Sequence, residues 1–159
     1  MTLAFDPAEI GPEDIGEREA TLEMEHEAAI EHVRETAEAA GFGVPVEFSP
    51  SELLNEKLDR EAQSASSSPT QSEGDRDPYY VLGACNPAVA DRALEETRKQ
   101  GALFPCNFVI WQEDPGVQRV YHVSIMRIAR LVGIAPDNDA WASIVGDTGE
   151  FVEAFFEEL

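Results

Sequence analysis

The stretch Tyr79-Tyr80-Val81-Leu82-Gly83-Ala84-Cys85-Asn86-Pro87 carries the chain from a strand into a helix, and the rest of the sequence is read outward from it. Tyr79 to Ala84 is apolar and reads as a strand. Asn86 is a good N-cap, and Pro87 suits the first helical position, where its missing N–H costs nothing. A helix then runs to about Gln100 and stops at Gly101. Phe104-Pro105-Cys106-Asn107 opens the next strand. These two segments contain both cysteines of the chain, each followed by asparagine.

Toward the N-terminus, residues 42–48 alternate, with Phe42, Val44, Val46 and Phe48 on one face. Ahead of them, Ile30, Val33, Ala37 and Ala40 recur at helical spacing over 26–40, and Gly41 ends that helix. Residues 17–24 read as a first strand, with Ala20, Leu22 and Met24 on one face. Residues 1–16 are acidic, hold Pro7 and Pro12, and read as a loose arm before a single domain at 17–159. Ser49 caps a short helix with Pro50 at its first position and Lys57 near its end. Residues 59–77, with Ser64, Ser66, Ser67, Ser68 and Gly74, read as a mobile loop insertion.

Beyond Cys106, strands at 106–112 and 118–125 flank the turn Glu113-Asp114-Pro115-Gly116. A short helix is expected around 127–132. A last helix over 139–159 presents Trp141, Ile144, Thr148, Val152, Phe155 and Leu159 at helical spacing, with Gly146 and Gly149 as points of kinking or splitting. The order predicts an α+β domain: one mainly antiparallel sheet of about five strands with helices on one face, ferredoxin-like. The uncovered face then calls for a second subunit, and a homodimer is expected.

Charge limits the partners. The 159 residues carry 32 acids against 11 bases, a net charge of −21, and only Lys57 and Lys99 are lysines. Such a chain repels itself in dilute buffer; in molar salt the Debye length falls to ~3 Å and screens it. The composition therefore points to a halophilic, salt-loaded cytoplasm, with thiols kept reduced. No basic run offers a footprint for nucleic acid or an anionic membrane. No apolar stretch approaches the ~20 residues of a membrane span, and no signal peptide is visible.

The pieces Gly41-Phe42-Gly43-Val44, Glu56-Lys57-Leu58, Leu82-Gly83-Ala84-Cys85-Asn86-Pro87 with Ala90 and Leu94, and Pro105-Cys106-Asn107 resemble the domain-of-unknown-function 302 family over roughly residues 17–125, and more weakly the C-terminal helix. The resemblance implies a TATA-box-binding-protein-like fold and no established activity. Residues 59–77 look like an insertion against that family. Ile125-Met126 stands where the family tends to carry Asp-Pro.

Five residues are the candidate site. Cys85 lies one residue before the N-cap, where unpaired helix N–H groups favour a thiolate or an anion; the alternative is a small buried apolar residue. Gly83 and Ala84 leave room for a ligand there. Lys57 is a candidate counter-charge, or simply a cation at a helix end. Asn86 and Asn107 are caps or turn formers first and ligand contacts second. Cys106 reads as core. A right-handed crossover would make the strands at 79–84 and 106–112 parallel. Cys85 and Cys106 would then be separated by a strand of ~20 Å, too far for a disulfide or a shared metal within one chain, although they could meet across a two-fold axis. His26, His32 and His122 have no metal-ligand spacing, so neither metal nor cofactor is expected. Three functions remain: a small-ligand or anion-binding protein with a thiol-containing pocket, a cysteine-based redox or sulfur-handling enzyme, and a structural interaction module.

Overall fold

The structure, a computed structural model, describes residues 6–65 and 76–159. Five strands form one open sheet: β1 (Arg18–Leu22), β2 (Gly43–Phe48), β3 (Tyr79–Cys85), β4 (Cys106–Asp114) and β5 (Val117–His122). Their spatial order is β1-β5-β4-β3-β2, and every neighbouring pair is antiparallel. The edge strands β1 and β2 are joined by α1 (His26–Ala39), and the other helices are α2 (Pro50–Ala65), α3 (Pro87–Glu96), α4 (Ile125–Leu131) and α5 (Asp139–Glu158). The α+β sheet expected from the element order is the sheet observed. Among the described residues no helix is long and apolar enough to cross a membrane.

Two apolar clusters make the core. In the first, Ile30, Val33 and Ala37 of α1 and Val152 and Phe155 of α5 pack on Leu82, Phe108, Ile110 and Val120 of the sheet. Each large side chain so buried contributes roughly 1.5–3 kcal/mol. In the second, Val89 and Ala93 of α3, Met126 and Ala129 of α4, and Trp141 and Ile144 of α5 gather around Cys106. Phe151 packs against both clusters. The positions of α5 expected to be buried are buried, and α5 is one helix through Gly146 and Gly149.

The pairing of β3 with β4 overturns one expectation. The strands are antiparallel, with Ala84 opposite Cys106. The connection does not cross the sheet: α3 gives way at Thr97 to a 3-10 helix, Arg98–Leu103, and packs on α5, so the chain re-enters the sheet at the end it left. Right-handed crossover logic applies to connections that traverse a sheet face, and this one does not. The two cysteines therefore lie at the same end of the sheet.

In β2 the register shifts between Gly43 and Val46: Gly43 faces Cys85, but Val46 already faces Gly83. Pro45, which has no N–H for the ladder, sits in this irregularity. Side chains beyond it change face. Phe42 stays in the core, whereas Val46 and Phe48 are 51% and 43% exposed on the face away from α1. Simple alternation over 42–48 is thus broken by one extra residue. α2 continues past Lys57 to Ala65, into the stretch read as a loop; residues 66–75 of that stretch lie outside the described residues. The arm's described end is tied down, with the Ser124 N–H donating to the Ile15 carbonyl at 2.8 Å and Arg127 donating to the Glu13 carbonyl.

Candidate functional site

The end of β3, the start of α3 and the start of β4 converge with α4 and α5 at the seam between the two core clusters. A small cavity lies there, lined by Cys85, Asn86 and Cys106 together with Phe42, Met126 and Phe151; Val89, Ala90, Phe104 and Thr148 complete its wall. Its volume is about 10 Å³ for the centre of a water-sized sphere, roughly the room that one water or one ion needs. No charged side chain lines it.

Local chemistry holds each wall in place. Asn86 caps α3, its Oδ1 accepting from the Val89 N–H at 3.1 Å, and its Nδ2 donates to the Gly41 carbonyl at 2.9 Å. Gly41 turns the chain out of α1 at φ +102°, and a Cβ there would stand 3.2 Å from the Phe151 ring. Only glycine suits both demands. Ser124 caps α4 by accepting from the Arg127 N–H, and the Trp141 indole donates to the Met126 carbonyl at 3.0 Å. Arg92 joins α3 to α5 through Asp147 and Ser143. The room expected beside Gly83 is filled from within the chain, since a Cβ on Gly83 would stand 2.5 Å from Cγ of Pro105.

Both cysteines are free thiols; Cys85 is half-buried and Cys106 is buried. Burial pushes the Cys85 thiol up. It pushes Cys106 up to about 12, with a further rise from the neighbouring Cys85 charge. Burial thus works against the thiolate that the place of Cys85 before the cap favours.

The other two candidates lie elsewhere. Asn107 sits opposite Gly83 on the outer face of the sheet and is exposed. Lys57 lies on an exposed turn of α2. That helix is anchored at the opposite end of β3, where the Tyr79 N–H donates to Ser51 Oγ at 3.0 Å, a strand length of ~20 Å from Cys85. Lys57 is mid-helix, not at a helix end.

His122 carried no signal as a lone histidine on a strand. It is 1% exposed, stacked on Phe108 with ring centroids 4.8 Å apart. Its Nδ1–H donates to the Asn107 carbonyl at 2.9 Å, and its Nε2 is buried without a protein partner. Burial holds the imidazole below its ordinary pKa, against the opposing pull of that carbonyl. Gln100, also fully buried, has neither side-chain atom paired. Met126, Phe42 and Phe151 were legible as apolar positions, but nothing in their spacing marked them as pocket walls. Among the described residues no three His, Cys, Asp or Glu side chains gather to hold a metal.

Residues 18–159 match the family described as domain of unknown function DUF302. The fold is similar to that in the crystal structure of an uncharacterized conserved DUF302 protein from Bacillus stearothermophilus, with a TM-score of 0.67 and 24% identity, covering 89% of this chain and 96% of that one. That likeness establishes the fold alone. No curated protein matches the chain significantly.

Proposed function

This chain belongs to the DUF302 family, whose function is unknown, and from that premise we propose that it is a small-ligand-binding protein whose pocket presents two neutral thiols, Cys85 and Cys106. The observation that carries this reading is that both cysteines line one small, partly open apolar cavity. A neutral or soft ligand suits that lining better than an anion does, because no basic side chain reaches it and burial disfavours charge. A nucleophilic redox enzyme is the weaker reading, since burial raises both thiols instead of exposing a thiolate. A purely structural module leaves the half-buried Cys85 at the cavity without a use. Cys85 is the mouth of the pocket and Cys106 its floor. Graded reagents test this: a small neutral thiosulfonate should modify Cys85 rapidly, and a bulky dianionic aromatic disulfide slowly. Equal rates would mean that Cys85 stands on open surface and that the pocket reading fails.

The reading extends to a halophilic cytoplasm, where reduced thiols persist, and to a homodimer. The outer sheet face carries Val46, Phe48, Tyr79, Val81, Val109, Trp111 and Tyr121, all half-buried or exposed. Its acids Glu113 and Glu19 share one base, Arg119, which offsets part of their charge. On a chain of net charge −21, such a face is where a second copy can approach without heavy repulsion.

A further inference from the structure

A third sulfur stands in the wall that holds the two thiols. Met126, 2% exposed, lies in the first turn of α4 and lines the same cavity as Cys85 and Cys106. We propose that Cys85, Cys106 and Met126 bind one soft monovalent metal ion, of the Cu(I) class. The proposal rests on the pocket reading above and names its ligand.

The donor set selects the ion. Two thiols and a thioether are soft donors, which favour Cu(I) over hard cations. Polar competitors in the wall are already engaged: Asn86 holds Val89 and Gly41, and the Thr148 hydroxyl donates to the Ile144 carbonyl at 2.8 Å. Calcium or magnesium would find no carboxylate in the wall, only the neutral side-chain oxygens of Asn86 and Thr148. A structural zinc site wants four donors, and the wall supplies three. Cu(I) accepts two or three sulfurs, and a cavity of about 10 Å³ admits one ion. The sequence-based expectation against a shared metal depended on parallel strands, and the antiparallel pairing of Ala84 with Cys106 removes that obstacle.

The chemistry balances without an oxidant or reductant. One Cu(I) displaces the proton of each thiol, two Cu–S bonds replace two S–H bonds, the Met126 thioether adds its lone pair, and two protons leave. The product carries one negative charge. It lies beside the start of α3, because Cys85 directly precedes the Asn86 cap, and a helix N-terminus favours an anion. Cys85, half-buried, is the way in.

The test uses the full-length reduced chain, without oxygen, in molar potassium glutamate, with Cu(I) presented as its bathocuproine disulfonate complex. The protein should take one Cu(I) from the chelator, release two protons per ion, and show a three-sulfur shell by X-ray absorption. Cys85→Ser and Cys106→Ser should each abolish transfer; Cys106→Ala, checked by circular dichroism, guards against misfolding of the serine variant. Met126→Leu conserves volume and should weaken binding about tenfold and leave two sulfurs in the shell. Failure to take Cu(I) from the chelator, transfer that survives in both cysteine variants, or an unchanged shell in Met126→Leu would each overturn the assignment. If Cu(I) is refused while Cys85 still shows the graded labelling expected of a pocket thiol, the metal falls and the pocket stands; if both fail, the pocket reading falls with it.

Discussion

Asn86 donates its side-chain N–H to the carbonyl of Gly41 at 2.9 Å. That contact joins the turn after α1 to the start of α3, which its other side-chain atom caps through Val89. One carboxamide thus ties together two walls of the pocket. Asn86→Ala removes both bonds and should cost about 1–2 kcal/mol in urea unfolding. Asn86→Asp keeps the cap and loses the donor to Gly41, so its stability should fall between the two. An alanine variant as stable as the parent would show that Asn86 does not hold the walls together.

His122 gives a pH signature. An unfolded histidine ionises near pH ~6.5, whereas burial holds the folded imidazole lower. Below pH ~6.5 the unfolded chain takes the proton first, so stability falls as pH drops through that region toward the folded value and is intact above it. His122→Gln should flatten this acid limb in molar salt, where general charge effects are screened. An acid limb unchanged by the substitution would assign it to other groups.

Salt and assembly are tested together. With a net charge of −21, the thermal midpoint should rise from dilute buffer to multimolar KCl, and sedimentation in molar KCl should give a homodimer. Phe48, 43% exposed on the outer face, is the substitution to use: Phe48→Glu should yield monomers without lowering the midpoint by more than a few degrees. A flat salt response would contradict the halophilic reading, and a parent monomer would contradict the assembly.

Local signals made most of the fold legible. Asn86-Pro87 marked the start of α3, Gly41 the end of α1, and Trp141 to Phe155 the buried stripe of α5, because caps, glycine turns and helical periodicity are written over a few residues. What was hidden depends on three-dimensional return paths. A helix α3 that crossed the sheet would set Cys85 and Cys106 a strand apart; its packing on α5 instead returns the chain to the same end. The displaced Val46 and Phe48 follow from a register shift at Pro45 that alternation does not reveal. The sequence marks Met126 as apolar but not as a pocket wall, since a pocket assembled from several elements leaves no spacing in the sequence. Lys57 is one of only two lysines, and rarity says nothing about position.

The central claim is that Cys85 and Cys106 face one small cavity that takes a small thiophilic ligand. Arsenous acid is small and uncharged at neutral pH, and it condenses with two adjacent thiols, forming two As–S bonds and releasing two waters. Native mass spectrometry of the reduced chain after exposure to it measures the claim directly. One arsenic per chain, two waters lost, and loss of the adduct in Cys85→Ser and in Cys106→Ser is the predicted result. No adduct under a large excess, or one that persists when either cysteine is replaced, would show that the two thiols do not share a pocket.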